Sequence, residues 1–259
     1  MNILLPVIIV AVIGLIAGIG LALASKFMAV PVDEKQEKLR ECLPGANCGA
    51  CGFSGCDGYA EALAKGEAEP NKCAPGGNTT AEQLAEILGV SVTESEPMVA
   101  FIACNGRPDN AVEAYAYNGM ESCTAAALMH GGPLTCKFGC IGFGDCAKAC
   151  PFGAIKVENG RPVICNDLCM ACGACVKACP KALISLVPKN APVKVACSNK
   201  QKGAAVVKAC KASCIACGMC ERTCPNGAIK VIDNCAVIDY SICTGCGQCK
   251  TACKRGALL

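Results

Sequence analysis

The sequence predicts an α+β chain built in series: one long apolar helix, a small cysteine-bound domain, and two cysteine-rich modules of short helices and strands. Three observations carry this. Residues 1–25 contain no charged side chain. Cysteine makes up 27 of 259 residues, a level that marks a cysteine or metal scaffold. Four similar turn-and-strand stretches recur in the second half: PFGAI (151–155), PKALI (180–184), PNGAI (225–229) and KRGAL (254–258). A repeat of that kind governs the architecture. Aromatics are only 4% and Trp is absent, so an ordinary large aromatic core is excluded.

The apolar helix comes first. From Ile3 to Ala24 the residues are Leu, Ile, Val, Ala and Gly with Pro6. Twenty-two residues at ~1.5 Å each reach ~33 Å, enough to cross a bilayer core. A signal peptide would need a basic start and a shorter apolar core. Residues 1–25 therefore read as a single-pass transmembrane anchor in the cell membrane. Lys26, Lys35, Lys38 and Arg40 follow it, which puts the rest of the chain in the cytoplasm. Gly14 and Gly18 form a small-xxx-small pair that suits packing against a partner helix. Residues 26–41 read as a linker.

The small domain, 42–90, holds Cys48, Cys51, Cys56 and Cys73 within and after LPGANCGACGFSGC. Glycines at 49, 52 and 55 permit tight turns. DGYAEALAKGE reads as a helix returning the chain to Cys73. A second helix is expected from Thr80 to Leu88, with Thr79 and Glu82 as a capping box and Gly89 as its stop.

The two modules, 91–190 and 191–259, carry the densest cysteines. In a reducing cytoplasm structural disulfides are disfavoured, so spacing decides what the thiols do. Cys169, Cys172, Cys175 and Cys179 read C-x2-C-x2-C-x3-C and precede Pro180. Cys214, Cys217, Cys220 and Cys224 repeat this before Pro225. Cys243, Cys246, Cys249 and Cys253 repeat it before Lys254. This is the bacterial ferredoxin run for a [4Fe–4S] cluster. Zinc ribbons instead use two C-x2-C pairs across a long gap. A degenerate run comprises Cys136, Cys140, Cys146 and Cys150. In two-cluster ferredoxins the fourth cysteine of each run serves the other cluster. The expected sets are thus Cys136/Cys140/Cys146/Cys179, Cys169/Cys172/Cys175/Cys150, Cys214/Cys217/Cys220/Cys253 and Cys243/Cys246/Cys249/Cys224. With the 48–73 set, five [4Fe–4S] clusters are expected.

Seven cysteines remain. FIACNG (101–106) before Cys123 resembles VKVACSN (193–199) before Cys210, so each module begins with a strand ending in Ala-Cys. Cys104, Cys123, Cys197 and Cys210 would together make a sixth cluster; four buried free thiols are the alternative. Cys42, Cys165 and Cys235 read as bystanders.

Other chemistry finds no footing. There is no strand–GxGxxG–helix unit and no Walker A motif. The single histidine, His130, lies in a loop. The chain has no substrate-converting site of its own, and one-electron transfer is what remains. Charge is lopsided: residues 1–135 carry 7 basic and 15 acidic side chains, residues 136–259 carry 17 and 6. The basic half lacks aromatics for stacking on bases and is the cysteine-dense half, so nucleic acid is not the expected partner. Lys200, Lys202, Lys208 and Lys211 form its densest basic stretch, a docking face for an acidic partner.

An anchor, then LPGANCGACG…C…C, then ferredoxin-like modules resembles the B subunit of the Rnf complex, a membrane-bound ferredoxin:NAD oxidoreductase. The likeness covers essentially the whole chain, in a longer clostridial-type form with two modules. The resemblance implies reduced ferredoxin as donor, membrane-embedded and flavin-bearing subunits as acceptors, and coupling to Na⁺ or H⁺ export. A component of another membrane oxidoreductase and a metal-storage protein are the other readings.

Overall fold

A computed structural model describes residues 4–27, 33–106 and 109–259. The first helix, α1, runs Leu4–Phe27 over 24 residues. Its described side chains, including Val7, Ile13, Leu15, Ile16 and Leu21, are exposed. Among the described residues no helix offers a stretch long and apolar enough to cross a membrane.

The stretch expected as linker contains a second helix, α2 (Glu34–Glu41), started by Asp33, whose carboxylate accepts from Lys35 N at 2.9 Å. Only Leu39 of α2 is buried. It joins α3 (Cys56–Ala64) and α4 (Gly77–Leu88) in a small core of Leu39, Tyr59, Leu63 and Leu84. So the small domain begins before residue 42. Helix α4 starts earlier than the capping box would place it, at Gly77. Thr79 is not its cap, and the buried Thr80 hydroxyl turns to Cys42 O at 3.5 Å. Its stop is as expected, with Gly89 at φ +71°.

Each module is closed by its own entry strand. Strand β1 (Met98–Ile102) pairs antiparallel with β4 (Ile184–Pro188), Ile102 opposite Ile184. In the second module Lys194 and Leu259 exchange two 3.0 Å backbone bonds, and Ala196 N donates to Ala257 O. Between entry and exit lies a hairpin. The pairs are β2 (Ile155–Glu158) with β3 (Arg161–Ile164), and β5 (Ile229–Ile232) with β6 (Cys235–Ile238). Asn159-Gly160 and Asp233-Asn234 turn them, all four residues at positive φ, as a type I′ turn needs.

Short helices hold the cysteines. After α5 (Cys123–Leu128) come α6 (Asp145–Lys148) and α7 (Ala174–Ala178). After α8 (Ala204–Ala209) come α9 (Met219–Thr223) and α10 (Gln248–Ala252). Helices α6, α7, α9 and α10 share one entrance: Gly144, Gly173, Gly218 and Gly247 at φ +70° to +78°. The cores of both modules are aliphatic side chains mixed with the cysteines themselves, Ile155 and Ile184 in the first, Ile229 and Leu258 in the second.

Candidate metal centres

The N-terminal set forms around α3. Cys56 opens that helix, and Asn47 Oδ1 accepts from Cys56 N at 2.8 Å, folding the glycine-rich loop over it. Tyr59, almost fully buried, donates its hydroxyl to Glu69 O at 2.6 Å and fixes the return towards Cys73. Burial pushes the Tyr59 phenol up to about 12, so it stays a donor. Cys48, Cys51, Cys56 and Cys73 line one cavity, as the spacing led us to expect.

In the second module both expected sets are brought together. Cys214, Cys217, Cys220 and Cys253 line one cavity; Cys224, Cys243, Cys246 and Cys249 line another. In the first module, Cys150, Cys169, Cys172 and Cys175 lie close enough to act on one another electrostatically. Ala100 N, on β1, donates to Cys169 Sγ at 3.3 Å.

Two cysteines exchange places relative to expectation. Cys140, Cys146 and Cys179 are joined by Cys123, not by Cys136. Cys104, Cys197 and Cys210 are joined by Cys136, not by Cys123, around a cavity between the two modules. Local structure explains the exchange. Ser122 caps α5, and Asp145 Oδ2 accepts from Ser122 Oγ at 2.9 Å and from Thr124 N at 3.0 Å. That ties the start of α5, and so Cys123, to the start of α6, where Cys146 lies. Cys136 points the other way, where the buried Asn199 donates Nδ2 to its sulfur at 3.4 Å.

Cys42, Cys165 and Cys235 belong to none of the six sets. Cys42 packs half-buried against the small core and Cys165 is exposed. Cys235 is buried, donating to Cys197 O at 3.1 Å. Its thiol lies beside those of Cys197 and Cys214, which lowers the pKa of both and raises its own.

The donor sets fit [4Fe–4S] groups. Burial, reinforced by neighbouring thiolates, pushes Cys140 up to about 12 and Cys146, Cys175 and Cys220 up to about 11. Four thiolates crowded in this way need a cationic core between them. Zinc would require four sulfurs at ~2.3 Å from a single centre. Among the described residues no group of His, Cys, Asp or Glu converges tightly enough for one ion. Five of the six sets surround a cavity instead.

Neighbouring sets lie near one another in succession. Cys48 of the N-terminal set acts on Cys172. Cys175 acts on Cys146. Cys140 N donates to Cys104 Sγ at 3.4 Å, and Cys214 N to Cys197 Sγ at 3.3 Å. Within the second module α9 lies against α10, joining its two sets.

Family models match iron–sulfur domains along the chain. A putative Fe-S cluster model matches residues 43–75. Two 4Fe-4S dicluster models match 139–184 and 168–228, and a 4Fe-4S binding model matches 236–259. Over 244 residues the chain is 46% identical to the B subunit of the proton-translocating ferredoxin:NAD(+) oxidoreductase complex of Clostridium ljungdahlii, covering 93% of this chain and 86% of that one. The chain belongs to the B-subunit family of ion-translocating ferredoxin:NAD(+) oxidoreductase complexes. A second member of that family, from the Na(+)-translocating complex of Acetobacterium woodii, is 42% identical over 93% of this chain and 73% of its own. The B subunit of the ion-translocating oxidoreductase complex of Rhodobacter capsulatus is 44% identical over 35% of this chain and 52% of its own.

Proposed function

We propose that the chain is the electron-transfer subunit of an ion-translocating ferredoxin:NAD oxidoreductase. In this reading it takes single electrons from reduced ferredoxin and delivers them to membrane-embedded and flavin-bearing subunits of the same complex. The carrying observation is the unbroken succession of six four-cysteine sets. Bound [4Fe–4S] clusters would supply the one-electron chemistry. The residues would do the rest: the thiolates of each set would hold a cluster, N–H groups of the short glycine-started helices would face its sulfurs, and apolar side chains such as Ile229 and Leu183 would exclude water. The second module is the proposed entrance, with Lys202, Lys208 and Lys211 exposed on and beside α8 and Lys200 paired with Asp233 at 3.2 Å. The N-terminal set is the proposed exit.

From the sequence, the uncharged run of residues 3–24 is proposed to cross the membrane once, with the cysteine domains in the cytoplasm: 22 residues of helix would reach ~33 Å, and no charge precedes Lys26. The test is anaerobic extraction from membranes with detergent, followed by iron analysis and low-temperature EPR. About 24 iron atoms per chain are expected from six cubanes. A fully loaded protein with about 8 would sink the reading, and cleavage of residues 42–259 by protease added outside intact cells would sink the topology.

A further inference from the structure

The same turn follows the last cysteine of each run. Its third residue, Gly153, Ala182, Gly227 or Gly256, lies at φ between +49° and +66° in all four copies. Its second residue differs: Phe152, Lys181, Asn226 and Arg255. Two copies carry a cation, and each cation bonds backbone beside a different cysteine of the inter-module set. Lys181 Nζ donates to Gly131 O at 2.9 Å and to Lys137 O, the carbonyl next to Cys136. Burial opposes its charge, and the nearby Cys136 and Cys179 sulfurs favour it. Arg255 donates to Cys210 O at 2.9 Å and to Ser213 O at 3.5 Å, and its charge acts on Cys210.

Cys136 and Cys210 belong to the inter-module set. Lys181 also lines the cavity of Cys123, Cys140, Cys146 and Cys179, and Arg255 that of Cys214, Cys217, Cys220 and Cys253. Each cation is therefore wedged at one of the two junctions that flank the inter-module set. The inter-module thiols are well enclosed, with Cys104, Cys136 and Cys210 each under a tenth exposed. Enclosure opposes added negative charge, and a cation nearby in a medium of low polarity offsets that opposition.

We propose that Lys181 and Arg255, brought by equivalent turns to the two sides of the inter-module set, are paired positioning charges that keep that site reducible and make it the crossing point for electrons between the modules. This rests on the reading that Cys104, Cys136, Cys197 and Cys210 hold a [4Fe–4S] cluster. The step is a single-electron exchange: one site is oxidised as its neighbour is reduced, and no bond forms or breaks.

The test is a redox titration of the full chain, purified anaerobically, with dithionite as reductant and EPR as readout. Lys181→Gln should lower the potentials of two clusters, the inter-module one and that of the Cys123 set. Arg255→Gln should lower the inter-module one and that of the Cys214 set. The inter-module cluster is the species moved by both variants. Its reduced-to-oxidised ratio at fixed potential should fall about tenfold in each, which is 59 mV for a one-electron couple, and the double variant should add the two shifts. Lys181→Arg and Arg255→Lys should stay within about twofold of the unaltered protein. If a Gln variant loses iron, Asn226→Lys serves: a cation at the equivalent turn should raise the ratio for the Cys224 set about threefold, less because Asn226 is exposed and screened. The proposal is overturned if no species responds to both Gln variants, if charge-keeping swaps shift as much as Gln at full iron, or if Asn226→Lys shifts nothing. About 20 iron atoms in the unaltered protein, with no inter-module signal, would instead remove the reading beneath it.

Discussion

Replacing Cys136 with Ala should remove the inter-module cluster and spare the one assigned to Cys123, Cys140, Cys146 and Cys179. Replacing Cys123 should do the reverse. Each variant should lose about four iron atoms and one EPR species, a different one in each case. Loss of the same species from both would refute the exchange between these two residues. The signal for it is present in the sequence. Cys140, Cys146 and Cys150 are spaced like Cys169, Cys175 and Cys179, and Gly144 falls where Gly173, Gly218 and Gly247 fall. Phe143 stands where the middle cysteine of an intact run would be. The degenerate run thus begins at Cys140 and lacks one ligand. Spacing shows the vacancy, but which distant cysteine fills it depends on the Ser122–Asp145 tie, a tertiary contact across 23 residues that no local pattern encodes. The other four sets were legible because their ligands sit in intact local motifs or in the shared two-cluster arrangement.

At the scale of elements, α2 decides where the small domain begins. The helix is polar apart from Leu39, which is wholly buried against Tyr59, Leu63 and Leu84. One apolar position in eight residues leaves no helical periodicity to read, so the stretch resembles a linker in sequence. Its burial contradicts that. Leu39→Ala should destabilise the N-terminal domain by about 2–5 kcal/mol, as truncation of a fully buried leucine does. Protease resistance of that domain under anaerobic conditions would show it. A Leu39→Ala protein as resistant as the parent would return α2 to the role of linker. The hairpins and one-turn helices were not expected, although their signals are in the sequence. Their punctuation is local: Asn159-Gly160 at a turn, Gly89 at the stop of α4, glycine before α6, α7, α9 and α10. The pairing of β1 with β4 links segments more than 80 residues apart and follows from the module closing on itself rather than from either strand alone.

At the scale of the whole molecule, the order of sites is not the order of motifs. The N-terminal set meets Cys172, from the second run of the first module, and the degenerate run comes after it on the way to the inter-module set. This follows from the crossed use of fourth cysteines, which lets both sites of a module share one small core. It leaves the N-terminal set at one end of the succession and the second module at the other. Cys51→Ser is the variant that tests a direction along it. Serine offers a harder oxygen donor in place of a thiolate and should lose or perturb the N-terminal cluster. Cys51 is only partly buried against the core of Leu39, Tyr59, Leu63 and Leu84, and serine has nearly the same size, so the domain should keep its fold and the complex should assemble. Reduced ferredoxin should still reduce the clusters of both modules at the unaltered rate, because their ligands are separate. NAD reduction by the assembled complex should fall by an order of magnitude or more. A scaffold would behave differently, losing assembly while any complex that formed kept its rate. If the Cys51→Ser complex assembles and passes electrons to NAD as fast as the parent, the N-terminal set is not the exit and electrons leave the chain elsewhere along the succession.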